Sequence, residues 1–525
     1  MIEKIKNLFL GKSKPLVEML ISIEKIEKRM ALLRNGRLEE FQLERAREIN
    51  ISGSIFKGRV KNIEPGLKAM FVDIGLEKNA FLHYWDALPA ALEEIETIER
   101  SRSGLLLEQR KKITADDIPA LYPPGSEVVI QVTKGPIGTK GPRVTTNISL
   151  PGRYVVLSPF SDQFGISRRI QDPAERKRLR KILEKINVPQ GMGIIIRTAG
   201  EGQKARFLLR DVAYLLELWR DIEEAIKQKP APSLVHHEGD LVHKAVRDFL
   251  TDEVDRIVVD DQEAFEKLKT QISGISKRSL KKARLYTEQI PLFEKFGVEK
   301  QIEEAFSREV QLRSGAHLVI DETEALVAID VNTGKSRAGK EDGSDSILPT
   351  NLEAAEEIAR QLRLRNIGGL IILDFIDMRS KKDQNAVYQK LKECLARDKA
   401  KTHVLPISPL GLIEMTRQRT EESVARTIFM PCPHCRGRGA IKTPETLSLE
   451  VQRAISRVAR QNPDIHEFRV VVSPVLLDRL RRVDEDSLIE LERRHSIRLA
   501  FRPDPALHPE IYKIMDATND TELKV

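Results

Sequence analysis

Two apolar runs that each end in an aspartate dominate the hydrophobic pattern of the chain. Ala325-Leu326-Val327-Ala328-Ile329 leads into Asp330-Val331-Asn332, and Gly369-Leu370-Ile371-Ile372-Leu373 leads into Asp374-Phe375-Ile376-Asp377. Their length and β-branched content predict two buried strands. Between them, Thr350 and Glu353 stand in capping-box spacing, and Leu352, Ala355, Ile358, Ala359 and Leu362 recur at helical spacing until Gly368-Gly369. A βαβ unit follows. Neighbouring parallel strands joined by a crossover helix would bring Asp330 and Asp374 to one carboxyl edge of the sheet, where open α/β sheets bind ligands.

Elsewhere the pattern changes period. Two alternating strand patterns between Met19 and Leu43 flank Asn35-Gly36 and predict a hairpin, which is too short to be a domain and needs a partner later in the chain. From Gly53 to Ser149 come short strands punctuated by glycine, and in Ala69–Gly75 a period of two sends Met70, Val72 and Ile74 to one face and Phe71 with Asp73 to the other. A highly charged insertion between Tyr84 and Pro124, including Arg100–Arg102 and Glu108–Lys112, reads as a partly helical or mobile loop. A strand then enters the glycine-rich turn of 191–202, ahead of a long helix with Leu208, Val212, Leu215, Trp219, Ile222 and Ile226 as its apolar seam. Pro230-Ala231-Pro232 stops that helix. A helix from Leu241 to Thr251 and a strand at Arg256–Asp260 supply a partner for the N-terminal hairpin, with the intervening modules inserted. The stretch from Glu445 to Val525 predicts a small α/β module for packing or dimer contact.

At 525 residues the chain is long enough for about three or four domains. A formal charge of +8 with 32% charged residues and a pI near 9.1 point to a polyanionic partner, with nucleic acid the first candidate. No apolar run approaches the roughly 18 residues that span a bilayer, and Met1-Ile2-Glu3-Lys4-Ile5-Lys6 lacks a signal-peptide pattern. The basic 4–14 segment reads as a solvated end or as a membrane-surface contact. Three cysteines, two of them in one Cys-x-x-Cys, argue against a disulfide scaffold and for a reducing cytosol.

Four constellations carry candidate chemistry, and the residues alone leave two readings of each. Asp330, Asp374 and the amide of Asn332 are hard oxygen ligands suited to Mg²⁺, or they are turn and helix caps. Phe71 and Phe81, among Lys57, Lys61, Lys68, Lys78 and Lys140, form a basic platform for stacking unpaired bases, or they close a barrel end. Arg197 and Thr198 stand where an anion would be held, or in an ordinary strand-to-helix turn. Cys432-Pro433-His434-Cys435 is half of a zinc knuckle, completed by His434 and a further ligand or by the same two thiols of a second chain; a redox Cys-x-x-Cys is the rival. Cys394 reads as a core thiol.

Taken together, the motifs resemble the ribonuclease E/G family of bacterial endoribonucleases. The resemblance runs from about Met19 into the C-terminal module. It rests on Phe71-Val72-Asp73-Ile74-Gly75, Ile196-Arg197-Thr198-Ala199-Gly200, the runs Ala328–Gly334 and Asn351–Arg365, Asp374-Phe375-Ile376-Asp377-Met378 and the Cys432–Cys435 knuckle, in that order. It implies an α/β multidomain architecture. An RNase H-like fold (1–49 and 241–306) is interrupted by an S1-type OB barrel (50–150, with the charged insertion 84–124) and a 5′-sensor region (151–240). A DNase I-like catalytic subdomain (307–425), a zinc-link (426–441) and a small C-terminal α/β domain (442–525) follow.

The resemblance further implies that Asp330, Asn332 and Asp374 form the catalytic Mg²⁺ site. It implies that Arg197 and Thr198 read a 5′-monophosphate, near the basic pair Arg168 and Arg169. Phe71, Phe81 and Lys140 become RNA-binding residues, and Cys432 with Cys435 the ligands of a Zn²⁺ shared between two protomers. Two departures stand out. The chain ends at Val525 without an extended scaffold for degradosome partners, as in the short, ribonuclease G-like members. Lys401 takes a position that holds arginine in some relatives, which loses bidentate geometry.

The expectation is therefore a cytoplasmic, magnesium-dependent endoribonuclease that cuts single-stranded RNA, favours 5′-monophosphorylated substrates and serves ribosomal-RNA processing and messenger-RNA decay. It would be a zinc-linked homodimer or homotetramer with no integral membrane segment. Asp377, three residues beyond Asp374, would support the metal site from outside. The alternative is a non-catalytic S1-type RNA-binding protein, which has no need of carboxylates facing phosphate. A structural protein organised by zinc is a third reading.

Overall fold

A computed structural model describes residues 15–45, 51–88, 117–136, 140–161, 163–250, 253–275, 277–334, 347–418 and 423–523. The chain forms two compact units, Met1–Ala425 and Arg426–Val525.

In the first unit, β1 (Val17–Ile23), β2 (Glu27–Arg34) and β3 (Arg37–Arg45) form an antiparallel meander. Asn35 and Gly36 hold φ of 52° and 76°, the left-handed pair that an Asn-Gly hairpin turn requires. The alternation ahead of Asn35 is two strands rather than one, because a tight turn at Glu24–Glu27 doubles the chain back.

The glycine-punctuated stretch becomes β4 (Ile55–Glu64), β5 (Ala69–Asp73), β6 (Ala80–His83), β7 (Glu127–Lys134) and β8 (Arg143–Thr145), in the order β4-β5-β6-β8-β7 and closed into a barrel by β4–β7 pairing. Met70, Val72, Leu82, Ile130, Val132 and Val144 fill it. Gly58 permits the close approach of β4 to β5, since a Cβ there would lie 2.5 Å from Val72 Cγ1. The charged insertion opens and closes with short helices at Tyr84–Ala87 and Ile118–Leu121. Its Arg100–Arg102 and Glu108–Lys112, like the 4–14 segment, lie outside the described residues.

Next, β9 (Leu150–Pro151), β10 (Val155–Pro159), β11 (Phe164–Ile166) and β12 (Met192–Ile196) form a sheet in the order β11-β12-β10-β9. Two helices accompany these strands, α1 (Pro173–Leu183) between β11 and β12 and α2 (Ala205–Gln228) after β12. Leu208, Val212, Leu215, Trp219 and Ile222 of α2 are buried against the sheet, as their spacing predicts, with Ile226 partly buried beside them. β13 (Ser233–His236) returns to pair with β4. Then come α3 (Leu241–Phe249), β14 (Arg256–Val259), α4 (Gln262–Ile275) and β15 (Ala283–Leu285). β14 pairs in parallel with β1, Met19 opposite Ile257, so one five-stranded sheet is built from two chain segments with the barrel between them in sequence. The N-terminal strands find their partner in the expected segment.

The last layer of this unit contains β16 (Glu309–Gln311), β17 (His317–Glu322), β18 (Leu326–Asn332), α5 (Ile347–Leu364), β19 (Gly369–Asp374), α6 (Lys381–Leu395), β20 (Thr402–Val404) and β21 (Leu412–Arg417). Its sheet runs β16-β17-β18-β19-β21-β20, with β18 and β19 parallel. Val327, Ile329, Val331, Ile371 and Leu373 share one core with Ala355, Ile358 and Leu362 of α5 and Val387 and Leu391 of α6. The strand pleat then sends Ala328, Asp330, Asn332, Leu370, Ile372 and Asp374 to the opposite face. One expectation fails here: α5 already begins at Ile347, so Thr350 is no N-cap. Glu353 instead accepts the Arg313 and Ser314 amides at 2.8 and 3.1 Å. α5 also docks on β3. Buried Glu357 takes Arg37 and Arg360, and Arg363 meets Glu39 at 2.7 Å.

The second unit contains α7 (Pro444–Gln461), β22 (Glu467–Val472), α8 (Pro474–Arg482), α9 (Glu485–His495), β23 (Arg498–Pro503) and β24 (Lys513–Asp516), with strand order β23-β22-β24. β24 runs antiparallel to β22, with Ile514 opposite Val470. Among the described residues, no helix is long and apolar enough to cross a membrane.

Candidate active site

Asp330 and Asp374 stand directly opposite each other across β18 and β19. Register partners on neighbouring strands, about 4.8 Å apart, project from the same face, and this face is the one opposite the α5–α6 core. Both acids are exposed. Asn332, two residues along the same face, donates Nδ2 to Asp330 Oδ2 at 2.6 Å. Partial burial, then the charges of Asp330 and Asp377, raise the Asp374 carboxyl above the usual range. Neighbouring negative charge of this kind at Asp374 creates a demand for a cation. The loop after Asp374 is fixed from beneath by buried Asn351 of α5, which donates to Ile376 O at 2.8 Å and accepts Ile376 N–H at 3.2 Å.

A second cluster forms where β11 and β12 end. They are parallel, with Ile166 opposite Ile196, so Ser167 leaves the sheet beside Arg197 and Thr198. The Ser167 and Thr198 hydroxyls are 3.0 Å apart. Thr198–Gly200 makes a single 3₁₀ turn, and α2 starts only at Ala205. The Arg197 guanidinium donates to Gly152 O and reaches Asp248 Oδ1 of α3 at 2.8 Å. Asp248 also takes Arg247 at 2.8 Å. Burial alone would raise the Asp248 carboxyl, but hydrogen bonds and charge from Arg247, then from Arg197, bring it down to about 2. Arg168 is exposed. Arg169 donates to the carbonyls of Asp398, Lys399 and Ala400, at 2.7 Å for the last two, and so clamps the loop after α6. Lys401 is exposed just beyond that loop.

On the barrel, Phe71 and Phe81 are register partners, half-buried and edge-to-face at 5.8 Å. Asp73 accompanies Phe71, as the alternation predicts, and pairs with Lys61 at 3.2 Å. Lys57 pairs with Glu127 at 3.0 Å, and Lys140 is exposed. In the second unit, Cys432 is exposed and Cys435 half-buried, with the Gly439 and Gly437 amides pulling the Cys435 thiol below its ordinary value. The His434 ring lies 5.6 Å from His508. Among the described residues, no group of three or more His, Cys, Asp or Glu is arranged to hold a metal, here or at the aspartate pair. Cys394 packs against the core around α5 and α6, as expected.

Comparison with known proteins bears on these clusters. The model of the Ribonuclease E/G family matches residues 149–420, a span holding both the aspartate pair and the Arg197 cluster. The chain belongs to the ribonuclease E/G family. A second model, the RNase E/G thioredoxin-like domain, matches residues 431–517. The chain is 41% identical over 475 residues to Ribonuclease G of Escherichia coli K12, covering 90% of this chain and 94% of that protein. It is 38% identical to Ribonuclease G of Haemophilus influenzae, covering 90% and 93%. With Ribonuclease E of Escherichia coli K12 it shares 36% identity over 93% of its own length and 45% of that longer protein.

Several residues of this ribonuclease E/G chain escape sequence reasoning. Asp248 and Ser167 reach the Arg197 cluster from other elements, and nothing local marks them. Asn351 reads as one more polar residue in α5. His83 could have been found, because it lies two residues beyond Phe81 on the same face, with ring centres 6.4 Å apart. Trp85 follows in the next turn and is 60% exposed.

Proposed function

We propose that this chain, an endoribonuclease by its family, cuts single-stranded RNA with magnesium held at Asp330 and Asp374, and favours substrates with a 5′-monophosphate. The observation that carries the reading is the register of Asp330 opposite Asp374 on the face away from the helical core. The donor set fits the ion. Mg²⁺ is bound through one or two carboxylates plus waters and substrate oxygens, and two exposed acids with a neighbouring amide provide that. When bound there, magnesium supplies positive charge against the phosphodiester under attack by water.

The chain's own residues do the rest. Asn332 orients Asp330 through its 2.6 Å hydrogen bond, and Asn351 holds the backbone after Asp374. Arg197, steered by Asp248, offers a guanidinium to a terminal phosphate, with the Thr198 and Ser167 hydroxyls as neutral donors beside it. Arg168 adds positive charge, and Arg169 fixes the adjoining loop. Phe71 and Phe81, with Lys140, give a barrel of the S1 type its stacking surface. Cys432 and Cys435 supply two of the four ligands that tetrahedral zinc takes, and two protomers sharing one ion supply four. The domain boundaries follow the family resemblance: an RNase H-like sheet from 1–49 and 241–306, the barrel 50–150, the sensor 151–240, a DNase I-like layer 307–425, the zinc-link 426–441 and the C-terminal domain 442–525. Ribosomal-RNA processing and messenger-RNA decay in the cytoplasm are the roles this activity fits.

The test is cleavage of one single-stranded RNA bearing either a 5′-monophosphate or a 5′-hydroxyl, with Mg²⁺ or a chelator, by wild type, Asp330→Asn and Arg197→Ala. Asp330→Asn should lose at least about 100-fold in kcat, as expected when several kcal/mol of transition-state charge stabilisation is removed. Arg197→Ala should lose only the advantage of the monophosphate. Undiminished cutting by Asp330→Asn would refute the metal site. Tight binding without any cutting would favour the RNA-binding reading.

A further inference from the structure

Helix α1 has the sequence Pro173-Ala174-Glu175-Arg176-Lys177-Arg178-Leu179-Arg180-Lys181-Ile182-Leu183. Leu179 and Leu183 are buried in the core beneath it. Arg178 is paired with Glu175 at 2.6 Å, and Arg176 donates to Ser167 O and Ile170 O at 3.1 and 3.0 Å. Lys177, Arg180 and Lys181 are left exposed on the outer side. Among the described residues, no carboxylate forms an ion pair with any of the three. Together with Arg176, Pro173 and one carboxylate, Glu184, they line an open groove of 540 Å³.

Intrachain stability does not account for this arrangement. Lys177 stands one turn from Lys181, and Arg176 one turn from Arg180, and like charges at that spacing destabilise a helix. Arg180 and Lys181 complement the helix C-terminus, but Lys177 in the middle does not. Glu184 offsets part of this charge, and four cations against that one carboxylate leave a net positive row that fits a ligand bringing repeated negative charge. The location narrows the ligand further. Arg176 anchors α1 to the carbonyl of Ser167, whose hydroxyl is 3.0 Å from Thr198, so the row starts at the cluster assigned above to a terminal phosphate.

We propose that the outer side of α1 binds the sugar–phosphate backbone of the RNA strand whose 5′ end occupies the Arg197–Thr198 pocket. The inference rests on the 5′-phosphate reading of that pocket for its direction and on the charge row for its chemistry. Four residues of helix rise about 6 Å, comparable with the separation of neighbouring phosphates along an extended strand. Lys177 and Lys181 therefore meet successive phosphates and read no sequence, since phosphate contacts position a strand without specifying its bases.

The experiment compares the full-length protein with Lys177→Gln/Arg180→Gln/Lys181→Gln. Binding of a cleavage-resistant 2′-O-methyl RNA is followed by fluorescence anisotropy across salt concentrations, for a long single strand and for a trinucleotide, each with a 5′-monophosphate. For the long strand, the slope of log K against log salt should shrink by about 2, from three phosphate contacts at about 0.7 each for single strands. The trinucleotide should bind unchanged, and a variant that swaps the three residues between lysine and arginine should restore the slope. An unchanged slope, or an equal loss for the trinucleotide, would overturn the proposal. So would lost binding to anionic phospholipid vesicles with the RNA slope intact. Repeating the long-strand titration with a 5′-hydroxyl separates the two readings: equal affinity of the wild type for both ends counts against the pocket, whereas a reduced slope in the variant supports α1 with either end.

Discussion

Replacing Asp248 by asparagine should cost stability and 5′-end preference together. The Asp248 side chain is 19% exposed and accepts from both Arg197 and Arg247 at 2.8 Å. Asparagine keeps the shape and removes the charge, leaving Arg197 with Gly152 O and Arg247 with Glu238. A carboxyl that titrates at about 2 in the folded chain, against an ordinary 3.8, contributes about 2.5 kcal/mol at neutral pH. The sign follows from a folded value below the unfolded one: the contribution is complete above about pH 5 and is lost as the pH falls toward 2. Urea titrations followed through Trp219, buried in α2, should therefore show a gap between wild type and variant of about 2.5 kcal/mol at pH 7, narrowing to about 1.3 kcal/mol at pH 3. In cleavage assays the kcat/KM ratio of 5′-monophosphorylated to 5′-hydroxyl RNA should fall about 10-fold or more, the value of one charge-assisted hydrogen bond, while the 5′-hydroxyl substrate is cut at the wild-type rate. A gap that stays constant down to pH 3 would refute the electrostatic argument. An unchanged kcat/KM ratio would refute the positioning of Arg197.

Phe71→Ala should weaken binding of single-stranded RNA by about 1–3 kcal/mol, the worth of one stacked base, with no change in the 5′-end preference; anisotropy of labelled RNA checks both. Arg417→Met should destabilise the first unit by about 3–5 kcal/mol by stranding buried Asp398, and denaturant melts should register it. Cys435→Ser should abolish zinc binding and lower the solution mass to that of a smaller assembly by sedimentation, while an unchanged mass would reject the shared ion.

How far each feature could be read depends on how local its cause is. The aspartate pair was legible because the two apolar runs reach their acids at matching offsets, and parallel pairing turns matching offsets into proximity. The α2 seam was legible for a similar reason, since periodicity alone decides which side of a helix is buried. Thr350 and Glu353 misled because a capping box is a short pattern that also occurs by chance inside helices; Pro349 fits the first turn of a helix that begins earlier. The turn at Glu24–Glu27 was missed for want of glycine, proline or asparagine. Asp248 was illegible because α3, judged by itself, is an ordinary amphipathic helix, and the carboxylate matters only once β12 ends beside it. Arg169 reads like a free cation next to Arg168, and only the folded chain shows three carbonyls around it.

Those three carbonyls belong to a chain of polar contacts joining the two clusters. Arg169 holds residues 398–400, and the Asp398 carboxylate meets Arg417 at 2.7 and 3.0 Å, with side-chain exposures of 2% and 5%. Arg417 also donates to Ile367 O at 2.7 Å and Asn366 Oδ1 at 3.2 Å, just ahead of β19, the strand that ends in Asp374. A buried ion pair adds little net stability over an apolar pair of the same volume. Its hydrogen bonds are directional, however, and a bidentate arginine tolerates little displacement of its partner. An apolar contact between the 398–400 loop and β21 would slide at small cost, whereas this contact resists it. The same geometry that ties the Arg197 cluster to the sheet therefore also fixes where β19 starts, and with it the register that sets Asp374 opposite Asp330.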